Sequence, residues 1–148
     1  MAVGSPEFYN DALEQAWVAD NWETDNHYAA LMTSSHTFTA THTTWADISA
    51  NEVSQAGDYA PVDLTGEAIT EAAGVVTIDA NQVDYGSAVT ITARHIVVLK
   101  GTAGAQGGTD ELVFSAALDD TADKSSTADD FKVDWNASGI ATYTQTTP

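Results

Sequence analysis

Apolar positions alternate with polar ones over most of this chain, and one stretch only repeats at helical spacing. Ser5-Pro6-Glu7 has the form of a helix start, with a capping hydroxyl, a proline where the missing N–H costs nothing, and an acid in the first turn. Phe8, Ala12, Leu13, Ala16 and Trp17 follow at helical spacing on one stripe, which predicts a helix from Pro6 to Asp20 lying against a sheet.

After Asn26 the texture is that of short strands. His27 to Thr33 is apolar and β-prone; Ser34 to Thr44, with His36 and His42, is polar and predicts an exposed loop. Trp45 to Val53 reads as an irregular turn closed by Gly57, and Glu67 to Ala72 with Val75 to Ala80 predicts a hairpin about Ala73-Gly74. Val89, Ile91 and Ala93 alternate with Thr90 and Thr92, and Ile96 to Leu99 is continuously apolar. This predicts one long strand, half-buried at its start and buried on both faces at its end, at the centre of the fold. Gly101 to Gly108 is a glycine-rich loop without the Lys-Ser/Thr of a phosphate loop. Leu112 to Leu118 and Phe131 to Trp135 alternate on either side of the acidic segment Asp119 to Asp130, and Asn136 to Gly139 turns the chain into Ile140 to Thr146. The pattern predicts a mainly all-β protein: a single β-sandwich or jelly-roll-like domain over 1–148, with an N-terminal arm and helix in 1–25 and the sandwich in 26–148.

Charge narrows the partners. The 148 residues carry 22 acids against four bases, Arg94, Lys100, Lys124 and Lys132, for a formal net charge of −18. Nucleic acid and anionic membranes are excluded as partners, since both need clustered Lys and Arg. A basic protein partner, divalent cations, a saline habitat that screens self-repulsion, or plain solubility remain. No cysteine is present, which excludes disulfides, thiolate metal sites and thiol nucleophiles. The longest apolar run, Ile96 to Leu99, is too short to span a bilayer, and no basic and apolar leader opens the chain. A protein of this kind that acts outside cells is expected to leave by lysis.

Candidate chemistry is thin. His27, His36, His42 and His95 lack the i, i+4 spacing of a helical zinc site and read as exposed loop side chains. Asp119, Asp120, Asp123, Asp129 and Asp130 cluster on one loop with hydroxyls that suit calcium, although without the glycine and glutamate of an EF-hand. Acid pairs for glycoside hydrolysis arise by chance in so acidic a chain, and no Gly-x-Ser-x-Gly elbow occurs. Arg94, the single arginine, is expected to fork onto a carboxylate within the fold or across a subunit contact. Trp17 and Trp135 sit on core stripes, whereas Trp22 and Trp45 read as freer and, with Phe8 and Arg94, are the candidate interface residues. No catalytic residue and no cofactor is expected.

Four segments in order carry a resemblance: Tyr28-Ala-Ala-Leu-Met-Thr-Ser-Ser35, Trp45-Ala-Asp-Ile-Ser-Ala-Asn-Glu-Val-Ser54, Ile91-Thr-Ala-Arg-His-Ile-Val-Val-Leu-Lys100 and Val133-Asp-Trp-Asn-Ala-Ser-Gly-Ile140. Together they resemble a family of small structural proteins of tailed phages, the head-decoration or minor structural proteins. The chain departs from that pattern at Gln55-Ala-Gly-Asp58 and in its acidity. The resemblance implies a non-enzymatic virion part made in the host bacterial cytoplasm. Its expected role is a capsid decoration (cement) protein on the outer head surface, partnered by the major capsid protein and assembled as a homotrimer. The alternatives are a neck, tail-adaptor or tail-associated protein and, from another class, a carbohydrate-binding module using Trp22 or Trp45 on host glycans.

Overall fold

The continuous apolar run at Ile96–Leu99 becomes the middle of the molecule. In the computed structural model, which describes residues 3–10 and 21–144, twelve strands are seen among the described residues. They are β1 (Glu7–Phe8), β2 (His27–Met32), β3 (Val62–Asp63), β4 (Ala68–Ala72), β5 (Val75–Asp79), β6 (Val83–Asp84), β7 (Thr92–Ala93), β8 (His95–Lys100), β9 (Glu111–Ala117), β10 (Lys124–Ser125), β11 (Lys132–Val133) and β12 (Ala141–Thr144). All pairings between them are antiparallel. The central sheet has the order β1-β9-β8-β2-β3; a three-stranded sheet runs β12-β5-β4; β10-β7 and β11-β6 are short pairs.

β8 is central because its side chains allow nothing else. Ile96, Val97, Val98 and Leu99 are wholly buried, and each contributes on the order of 1.5–3 kcal/mol by leaving water. Alternation sends Ile96 and Val98 to one face, where they cluster with Ala29, Leu31 and Phe114 and with Val83, Ile91, Phe131 and Val133, in or next to the short strands. Val97 and Leu99 go to the other face, with Tyr28, Ala30, Met32 and Leu112. That second face is closed by Phe38, Trp45 and Ile48, from the loop after β2 and the 3₁₀ turns Trp45–Asp47 and Ser49–Asn51. A bulge opposite Val98/Leu99 lets both Val113 and Phe114 join the larger cluster while Leu112 joins the smaller.

The hairpin about Ala73-Gly74 is present, with φ of 52° and 79° at its two central residues, the left-handed pair that suits a two-residue turn. Three expectations are corrected. The helix expected from Pro6 does not start there: Glu7 and Phe8 pair with Ser115 and Phe114, because the apolar edge of β9 offers the segment a ladder and a ring to pack on. Residues 11–20 of that helix, Trp17 included, lie outside the described residues, and among the described residues no helix reaches seven residues. The long strand from Val89 to Leu99 is broken at Arg94, where the chain leaves β10 and crosses to β2: Arg94 N–H donates to the Met32 carbonyl, and the Arg94 carbonyl accepts from Leu118 N–H. The segment Ser34 to Thr44 is not merely an exposed loop; His36 within it is 3% exposed and seals one face of the sheet.

Replacing Ile96 by Ala is expected to cost about 2–5 kcal/mol of unfolding free energy, the range for a cavity in a close-packed core. Ile69→Ala, at a side chain 43% exposed, is expected to cost under about 1 kcal/mol. Urea unfolding of the two variants measures both.

Candidate functional site

Phe114 gathers two of the four candidate interface residues. Phe8 lies 5.4 Å from its ring and Trp22 6.5 Å, with Trp135 edge-on at 5.8 Å. Trp22 is buried, its ring tilted against that of His27 with centroids 4.6 Å apart, and its indole N–H donates to the Asp79 carbonyl at 2.9 Å. Trp45 is buried on the opposite face of the central sheet. The reading of Trp22 and Trp45 as freer surface side chains is therefore corrected: each fills a core, and neither presents a ring to a sugar. Phe8 is half-buried against the larger cluster. Arg94 takes the first of its two options, donating from Nε to Asp123 Oδ1 at 2.9 Å within the fold.

The acidic segment is organised by the chain's own cations. Lys124 Nζ lies 2.6 Å from Asp119 Oδ2, and Thr121 and Ala122 donate N–H groups to Asp119 Oδ1. Lys124, and then these donors, hold that carboxyl far below the usual range. Asp123 takes Arg94, Asp130 takes Lys132 at 2.9 Å, and Asp129 accepts from Asp130 N–H. Asp119, Asp120, Asp123, Asp129 and Asp130 do not converge on a calcium-sized centre; among the described residues no three His, Cys, Asp or Glu side chains are placed to hold a metal. With Lys100 on Asp25 at 2.8 Å, all four basic side chains are engaged inside the chain.

The histidines depart from the expectation of exposed loop residues. His27 is a buried member of β2, and His95 begins β8. His36 lies beside His95 with ring centroids 5.2 Å apart, and its Nε2 is 3.2 Å from Ser115 Oγ on β9. Burial, and then the neighbouring His95 and His42, push His36 down to about 4, so the imidazole is neutral at pH 7. Burial also lowers His95, against a hydrogen bond to the Thr33 backbone that raises it.

Two surface features remain. A cleft of about 270 Å³ is lined by Val3 to Pro6, Phe114, Trp135, Asn136 and Ser138 to Thr142, with no ionisable side chain in its lining. It offers shape and hydrogen bonds, and no acid or base. Beside it the β12-β5-β4 sheet stands out from the core: β4 and β12 are exposed along most of their length, and among the described residues the exposed large hydrophobics, Ile69 at 43% and Tyr143 at 62%, both sit on it. The register puts Ile69, Ile78 and Ala141 in one cross-strand row and Glu71, Val76 and Tyr143 in the next, all on one face. Sequence reasoning missed this patch, although the run from Trp135 to Pro148, without one Asp, Glu, Lys, Arg or His, was a signal for it.

Comparison of the chain with protein-family models, curated proteins and solved structures gives no match, so its reading rests on its own residues.

Two outcomes are expected. His36 has a folded pKa below its unfolded value of about 6.5, so its neutral form stabilises the fold above pH 6.5, and that contribution is lost as pH falls toward about 4. Thermal unfolding between pH 7 and 4.5 is expected to show a shallower loss of Tm in His36→Gln than in the wild type. With 22 acids and four engaged bases, raising salt from about 0.1 M to about 2 M is expected to raise Tm by several degrees, read by calorimetry; an unchanged Tm would remove self-repulsion as a cost of folding.

Proposed function

We propose that the chain is a non-enzymatic structural component of a phage virion, acting as a decoration protein on the outside of the head shell. The carrying observation is the central sheet buried on both faces, with the basic groups and much of the acidic segment committed to internal pairs. Such a scaffold is rigid, and its contact chemistry lies in surface shape and uncharged patches. The layers on either side of the central sheet are read as a sandwich-like arrangement in which the short strands β6, β7, β10 and β11 form the second wall. The resemblance of four ordered segments to tailed-phage structural proteins supports the same reading. The partner would be the major capsid protein; many copies adding modest contacts would hold the shell by avidity, and lattice three-folds would favour trimers. The acidic surface would keep particles apart.

A neck or tail location is the second reading, and the uncharged cleft and sheet serve it equally. The carbohydrate-binding reading loses its platform with Trp22 and Trp45 buried.

The purified protein, mixed with mature heads that lack it, is expected to co-sediment saturably at a fixed ratio to the major coat protein. Attachment to tails or connectors alone would move it to the neck or tail.

A further inference from the structure

The β12-β5-β4 sheet has two edges, and they differ. At β4, the edge amide of Ile69 is already taken, donating to Glu23 Oε1 at 3.2 Å, and Glu71 puts a charge on the strand. Charged side chains and occupied amides are how natural sheets discourage further pairing. β12 carries neither device: Ala141-Thr142-Tyr143-Thr144 belongs to the uncharged run from Trp135 to Pro148.

Hydrogen-bond alternation fixes which groups β12 presents. The two-residue turn makes Ala72 and Val75 a hydrogen-bonded pair, so Thr70 with Thr77 and Ala68 with Asp79 are bonded pairs as well. Val76 and Ile78 therefore turn their backbone groups to Tyr143 and Ala141, and the Ile78 carbonyl accepts from Ile140 N–H. The N–H and C=O of Thr142 and Thr144 point outward, away from β5.

We propose that β12 pairs with β12 of a second copy of this chain, antiparallel about a two-fold axis at Tyr143. Thr142 of each copy then exchanges both backbone bonds with Thr144 of the other, and the two three-stranded sheets become one of six strands. Tyr143 faces its own counterpart as a non-hydrogen-bonded pair, the closer of the two antiparallel spacings, and this covers a ring that is 62% exposed in the single chain. Register selects the occupant: with the backbone groups of Thr142 and Thr144 turned outward on either side of Tyr143, this edge is its own antiparallel complement. Two copies bearing −18 each repel over most of their surfaces, and an uncharged edge strand is where they can approach. A basic partner would be drawn to the acidic surface instead. The contact is isologous and closes on itself. It stands independently of the chain's place in a virion; on a shell it would link neighbouring clusters.

The chain has no cysteine, so Tyr143→Cys installs a single thiol at the proposed axis. Residues opposed in a non-hydrogen-bonded pair are within disulfide reach. Mild oxidation is expected to convert most of the Tyr143→Cys protein to a covalent dimer, while Ile69→Cys, on the same face but away from the axis, stays largely monomeric. Adding Thr142→Pro removes an outward N–H without touching the β5 ladder and is expected to abolish the cross-link. Sedimentation equilibrium of the wild type is expected to give twice the mass of Thr142→Pro. Equal cross-linking of the Tyr143→Cys and Ile69→Cys proteins, no cross-linking of either, or an unchanged mass in Thr142→Pro would each overturn the pairing.

Discussion

A strand buried on both faces sets demands that the rest of this chain meets. Ile96 to Leu99 leave no room for water, so each backbone N–H and C=O along β8 must be paired, and an unpaired one would cost about 1–3 kcal/mol. β2 and β9 supply those ladders on either side. The side chains then need two covers, and the chain supplies two of different kinds. One is built on the short strand pairs, with Ala93 and Val133 in the strands and Ile91 and Phe131 just before them. The other is an irregular segment whose Phe38, Trp45 and Ile48 plug the opposite face. The capping box at Thr44 and Asp47 fixes that plug: the Asp47 carboxylate accepts from the N–H groups of Thr43 and Thr44.

How far the sequence discloses this depends on whether the signal is local. The apolar run at Ile96 to Leu99, the alternation from Leu112 to Leu118 and from Phe131 to Trp135, and the Ala73-Gly74 hairpin were all legible, because period and turn chemistry lie in adjacent residues. The break at Arg94 was not. Alternation runs straight through it, and only the position of β10 and β2 in space makes the chain change sheets there. Pro6 to Phe8 misled in the opposite way, since a good helix start yields to an open edge of β9. His36 is hidden among polar neighbours; nothing local to Ser34 to Thr44 reveals that it folds back against His95 and Ser115. For the tryptophans, isolation from a periodic stripe points to exposure, whereas Trp22 and Trp45 are single plugs.

Acidity shapes what the surface can do. Five carboxylates, from Asp25, Asp84, Asp119, Asp123 and Asp130, meet the four bases, so most of the chain's negative charge faces water without a paired cation among the described residues. Exposed pairs of this kind contribute little to stability singly, and their greater effect is to fix the course of the 119–132 segment. Against that field, the uncharged stretch from Trp135 onward and the uncharged cleft beside it are the places where another surface can come close.

The N-terminal segment has a bearing on how the molecule is made. Glu7 and Phe8 pair with Ser115 and Phe114, Gly4 N–H donates to the Ala117 carbonyl, and Val3 N–H donates to the Asp134 carbonyl. Residues 3–8 thus bond to residues more than a hundred positions later, the long-range closure that slows folding most. On the ribosome the edge of β9 has no partner until it has cleared the exit tunnel. The early segment must wait until β9 has been made, so the outer ladder of the central sheet closes late in folding.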